Sequence, residues 1–123
     1  MDQERTIEDI LRESKTIAVV GLSDNPERPS HGVAEYLQSQ GYRIIPVNPN
    51  VQNVLGEKSY PDLDSVPEKI DVVDVFRRPE NVPEIVDAAI RKGARSLWLQ
   101  DGVTNPPAEE KARRAGLRVV SNT

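Results

Sequence analysis

The chain contains no cysteine among its 123 residues. That excludes thiolate zinc sites, iron–sulfur clusters, CxxC redox chemistry and a cysteine nucleophile, and makes a reducing compartment the default. Long apolar runs are also missing. The longest, Ile17-Ala18-Val19-Val20, is far short of a membrane span, and Asp2, Glu4, Glu8 and Asp9 are wrong for a signal peptide. Basic charge is not in excess: 16 Lys and Arg against 20 Asp and Glu leave a net charge of −4, which argues against general binding to nucleic acid or anionic membrane. Histidine occurs once, as His31, with no paired Ser or Cys constellation, so an exposed or capping role at a helix start is expected of it rather than general-base chemistry. A soluble cytoplasmic protein is the expectation.

What is present is 37% apolar and 29% charged residues at a length that suits one compact domain over residues 1–123. A chain of this size buries about two thirds of its unfolded surface, enough for a core without disulfide or metal staples. Thr6, with Asp9 three residues on and Ile7, Ile10 and Leu11 on one face, predicts a short helix with Thr6 as N-cap. Apolar segments of two periods then alternate to the end. Residues 16–22, 43–47, 71–76, 96–99 and 117–120 read as strands. Val33, Ala34 and Leu37 predict a helix stopped by Gly41. Val82, Ile85, Val86, Ala89 and Ile90 predict another, ending at Gly93, and Asn105 with Pro106 opens a third, through Ala108, Ala112 and Ala115 to Gly116. Residues 48–69 are turn-rich and predict loop with at most a helical turn near residues 62–66. Pro46 inside the second strand points to a strand end or a sheet edge. The strands are too apolar to face water, so the alternation implies a parallel sheet covered on both sides: an α/β, three-layer, Rossmann-like doubly wound domain with a five-stranded parallel sheet.

In such a sheet the ligand lies beyond the carboxyl ends of the strands, where strand order reverses. Four segments fall there, after the first four strands. In the first, Gly21 permits a tight turn and close approach of a ligand, and Ser23, Asn25, Arg28 and Ser30 lead into a helix start, which suits a phosphate or pyrophosphate. The same stretch also reads as a plain long loop with Ser30 as an ordinary N-cap. The second segment holds Asn48 and Pro49. The third holds Phe76, Arg77 and Arg78: the arginines suit a dianionic phosphate and Phe76 offers a flat face to a base, or else Phe76 is core and the arginines are a solvated face. In the fourth, Gln100 and Gly102, on either side of Asp101, present amides or simply turn the chain. Asp71 and Asp74, three apart on a strand, tend to opposite faces and make no obvious acid/base pair.

Two nucleotide fingerprints are missing. After Gly21 there is no glycine until Gly32, so GxGxxG is absent, and the end of the second strand carries Asn48 in place of the carboxylate that holds a ribose diol. A Walker A Gly-Lys-Ser/Thr is absent as well. Neither ordinary dinucleotide oxidoreduction nor P-loop hydrolysis is supported.

Five ordered segments carry a family resemblance: Ile17-Ala18-Val19-Val20-Gly21-Leu22-Ser23 with Pro29-Ser30 and Val33; Ile45-Pro46-Val47-Asn48-Pro49; Gly56-Glu57-Lys58 with Tyr60-Pro61; Asp71-Val72-Val73-Asp74-Val75-Phe76-Arg77; and Trp98-Leu99-Gln100-Asp101-Gly102. Together they resemble the stand-alone CoA-binding domain proteins, which are similar to the N-terminal domain of the succinyl-CoA synthetase alpha subunit. The resemblance implies coenzyme A as ligand, held without catalysis. It places Gly21, Ser23, Asn25, Arg28 and Ser30 in a first phosphate loop, Asn48 and Pro49 in a second, Phe76, Arg77 and Arg78 in a third, and Gln100, Asp101 and Gly102 in a fourth, with no metal. The synthetase's phosphorylated histidine lies in a following domain, so ligase activity does not carry over. Many family members continue past the last strand into an Asp-Arg-Cys element, where this chain has Ser121-Asn122-Thr123. The expected partner is CoA or an acyl-CoA. A pyridine-nucleotide enzyme or sensor and a protein-interaction domain are the alternatives.

Overall fold

The computed structural model describes residues 3–121, so Asp2, Asn122 and Thr123 lie outside the described residues. Its elements run α1 (Gln3–Glu13), β1 (Thr16–Val20), α2 (Pro29–Ser39), β2 (Arg43–Val47), β3 (Asn53–Val54), β4 (Glu57–Lys58), β5 (Val72–Val75), α3 (Val82–Arg91), β6 (Ser96–Leu99), α4 (Pro106–Arg114) and β7 (Arg118–Val120). Short 3₁₀ turns cover Leu63–Ser65 and Pro79–Asn81. Five strands form one parallel sheet in the order β2-β1-β5-β6-β7, the Rossmann-like arrangement expected.

The two sheet faces sort by residue parity, as the period of a strand requires. Ala18, Val20, Ile45, Val47, Val73, Val75, Leu97 and Leu99 pack with the apolar residues of α3 and α4. Ile17, Val19, Ile44, Val72 and Val120 pack with Ile10 of α1 and Ala34 of α2. Helices thus cover both faces, which is why the strands lack polar alternation. The stops also fall where expected: Gly41, Gly93 and Gly116 each follow a helix at positive φ.

Pro46 is accommodated because β2 is an edge strand. Arg43 N–H and the Val47 carbonyl bond toward β1, whereas the Pro46 carbonyl accepts from Tyr60 N–H at 3.0 Å on the outer side. Alternation therefore turns the proline nitrogen outward, where its missing proton breaks no bond to β1.

Two expectations are corrected. Thr6 is not an N-cap: α1 already runs from Gln3, because Gln3, Glu4 and Arg5 are good helix formers and nothing stops the helix at Thr6. Residues 48–69 contain, besides the 3₁₀ turn at Leu63–Ser65, an antiparallel hairpin of β3 and β4. Arg43 ties it to the sheet through Glu57 and also holds Glu68 at 2.6 Å.

Candidate functional site

The strand order reverses between β1 and β5, whose ends are level: Val20 pairs with both Val47 and Val75. The chain leaves β1 at Gly21, which has φ +90° and whose N–H donates to the Val47 carbonyl at 2.8 Å. A Cβ there would collide with the Phe76 carbonyl oxygen and stand 3.0 Å from Arg77 Cδ. Gly21 and the start of the loop after β5 therefore form one low crest at the switch point, backbone against backbone, with the Arg77 side chain alongside.

The loop from this crest to α2 is braced from within. Ser23 N–H donates to Ser30 Oγ, Asn25 N–H to Ser23 Oγ and Glu27 N–H to Asn25 Oδ1, each at 3.0 Å. The N-cap is Arg28, in extended backbone without a side-chain cap bond, and Pro29 is the first helical residue. Ser30 is therefore not the N-cap. It lies buried in the first turn, where its oxygen accepts from the loop and its own proton remains to donate.

Asn48 is committed to the same bracing. Its Nδ2 donates to the Leu22 carbonyl at 3.0 Å and its Oδ1 accepts from Asn50 N–H at 2.9 Å. Phe76 is half-buried, packed against the core on the α1/α2 side while still facing the rim. Arg77 and Arg78 are exposed, and Arg78 caps the 3₁₀ turn. Arg28, Arg77 and Arg78, like Arg5, Arg95 and Arg114 away from the rim, have no ion-pair partner among the described residues, whereas Arg12, Arg43, Arg91, Arg113 and Arg118 each pair with a carboxylate.

Two hollows flank the crest. An open cleft of about 640 Å³ is lined by Gly21, Ser23, Arg28, Ser30, Asn48, Phe76, Gln100 and Asp101 of the sequence-derived set. A second hollow of about 290 Å³, toward α3, takes in Pro49 and Arg77 with the apolar walls Val20, Val47, Leu63 and Ile85. Asn25, Arg78 and Gly102 line neither. Asn25 acts inside its loop, and Gly102, at φ +78°, turns the chain so that Val103 N–H reaches the Gln100 carbonyl at 3.0 Å. The other residues of the second hollow escaped sequence reasoning, Leu63 and Asp64 because they sit in the turn-rich stretch. At its mouth Arg91 pairs with Asp64 at 2.8 Å and holds that carboxyl below its usual range. His31 lies half-buried in the first turn of α2 and lines neither hollow.

One further polar group stands behind the rim. Asp74 lies on β5, only 4% exposed, and Gln100 Nε2 donates to its Oδ1 at 2.7 Å. Burial pushes its pKa up to about 7, against the smaller opposing effect of the Gln100 bond. The signal available in sequence was an aspartate inside Val72-Val73-Asp74-Val75. Asp71, by contrast, is structural: its Oδ2 accepts from Lys15 N–H at 2.8 Å and Thr16 N–H at 3.0 Å, pinning the start of β1. No group of three or more metal-ligating side chains occurs among the described residues, and no described helix is long and apolar enough to cross a membrane.

Comparison with known proteins gives this geometry a context. The family model described as a CoA binding domain matches residues 15–123. The "uncharacterized protein YneT" of Bacillus subtilis is 42% identical over 114 residues, covering 93% of this chain and 84% of its own length. An ADP-forming acetate–CoA ligase of Archaeoglobus fulgidus is 31% identical over 85% of this chain, which spans only 17% of that enzyme. Among solved structures, a hypothetical protein from Pyrococcus horikoshii superposes with a TM-score of 0.94 at 44% identity, over 99% of this chain and 85% of that one. A dinucleotide-forming acetyl-coenzyme A synthetase from Candidatus Korarchaeum cryptofilum, in complex with phosphate and ADP, superposes with a TM-score of 0.76 at 28% identity, over 88% of this chain and 25% of its own.

Proposed function

We propose that this chain, which belongs to the CoA-binding domain family, binds coenzyme A or an acyl-CoA on the carboxyl rim of its sheet and carries out no reaction of its own. The observation behind this reading is the backbone crest at Gly21, with a helix N-terminus on one side and arginines without ion-pair partners on both, Arg77 lying directly against it.

The pyrophosphate goes over Gly21, where backbone can approach it closely, the Ser30 hydroxyl donates, α2 presents its positive end and Arg28 supplies charge. The adenosine goes into the hollow toward α3, whose apolar walls suit a flat base, with Arg77 of the same lining for the 3′-phosphate. Arg78, outside both, adds charge at longer range. Asn48 fits this ligand better than a carboxylate in its place, which would repel a phosphorylated ribose. Ser23 and Ser30 receive backbone N–H groups, an arrangement that shapes a cradle rather than activating a nucleophile.

Calorimetric titration with CoA, 3′-dephospho-CoA, NADH and NADPH tests the reading. The expected order is CoA first, dephospho-CoA weaker, and the pyridine nucleotides weakest. No heat and no thermal stabilisation with CoA overturns it, and a stronger response to NADH or NADPH replaces it with a pyridine-nucleotide site.

A further inference from the structure

Between α1 and α2, on the sheet face opposite α3 and α4, runs an open groove of about 120 Å³. Leu11 of α1, Val33 and Leu37 of α2 and Trp98 of β6 give it apolar walls. Beyond Ser14, at the end of α1, its polar side chains are Asp74 and Gln100, joined to each other on the floor. Gln100 also lines the rim cleft, so the groove adjoins the cleft at that residue. The wall supplied by α1 precedes residues 15–123, the span the family model matches.

We propose that this groove is an acyl subsite, which takes the short neutral acyl group of a thioester whose nucleotide lies on the rim and rejects acyl groups that end in a carboxylate. The inference rests on the CoA reading above and adds the class of ester. Size sets the chain length: an apolar cavity of about 150 Å³ takes benzene, six carbons, so this groove suits about four or five. Charge sets the end group. No Lys or Arg lines the groove, and a terminal carboxylate would lie beside the buried Asp74 with no cation to offset either. A saturated chain brings no charge to Asp74 and packs against Leu11, Val33, Leu37 and Trp98.

The test is a calorimetric ladder of CoA, acetyl-, butyryl-, hexanoyl-, octanoyl- and succinyl-CoA on the full chain. Affinity is expected to rise roughly fourfold per methylene buried, up to about four or five carbons, and then to level off. Succinyl-CoA should bind no better than CoA. Leu37→Trp and, independently, Leu11→Trp fill the groove from opposite helices without touching the rim. Each should return butyryl-CoA to the affinity of CoA while leaving CoA itself unchanged. Equal binding of CoA and butyryl-CoA by the wild type overturns the acyl subsite but leaves the CoA reading intact, as does succinyl-CoA binding as tightly as butyryl-CoA. Loss of both ligands by either folded variant counts against the subsite too, because the groove would then serve the nucleotide. No binding of any member of the ladder overturns both readings.

Discussion

Gly21 and Phe76 meet at the switch point so closely that no side chain fits between them: a Cβ on Gly21 would overlap the Phe76 carbonyl oxygen, whose residue also donates its N–H to Val20 at 2.9 Å. The contact locks the β1 and β5 loops together.

Gly21→Ala is therefore expected to combine the strain of φ +90° with a backbone collision. Roughly 2–4 kcal/mol of stability should be lost, with CoA binding lost alongside. Urea denaturation gives the first and calorimetry the second. An alanine variant as stable as the wild type would mean that the two loops move apart freely.

Arg77→Ala should weaken CoA by roughly 1–3 kcal/mol and 3′-dephospho-CoA by much less, since the guanidinium is assigned to the extra phosphate. Arg28→Ala should weaken both alike, its partner being the pyrophosphate. Neither arginine has an ion-pair partner among the described residues, so thermal stability without ligand should hardly move. Equal losses for both ligands in Arg77→Ala would remove the arginine from the 3′-phosphate.

Asp74 should make stability fall as pH rises. Its folded pKa of about 7 lies above the ordinary value of 3.8, so between these limits the folded chain keeps a proton that the unfolded chain releases. The cost of burying the carboxylate is absent below about pH 4, grows toward pH 7 and is complete above it. Asp74→Asn removes that slope, with a gain relative to the wild type on the order of 2–4 kcal/mol by pH 8. Denaturant midpoints of both proteins across pH 4–8 measure it, and parallel curves would show that the carboxylate is already accommodated.

Ser96 has a fully buried hydroxyl oxygen with no hydrogen-bond partner among the described residues. Ser96→Ala should raise stability by up to about 1 kcal/mol, because it removes an unpaired polar atom from the sheet interior. A clear loss in thermal melts would mean that the hydroxyl is satisfied after all.

The five strands of the parallel sheet were legible to within a residue or two because each is a short, mostly apolar run bounded by turn chemistry, as in Thr16-Ile17-Ala18-Val19-Val20 before Gly21. The β3–β4 hairpin was not. Its strands are two residues long, and its turn places Leu55 at φ +54° ahead of Gly56 at φ +78°, where leucine gives no warning of a left-handed turn. Ser30 was legible as a helix-start residue but not in its orientation, because its partner Ser23 N–H is brought back by the loop.

Local pattern by itself determined the strands, the helix stops and the gathering of polar residues on one rim, since periodicity and turn chemistry act within a few residues. Only the tertiary structure decided that Gly21 lies against Phe76, that Arg77 and Pro49 belong to a hollow separate from Ser30, and that Asp74 is buried against Gln100. Those relationships join residues 26 to 55 positions apart, and chain neighbours carry no record of which loops the crossovers will bring together.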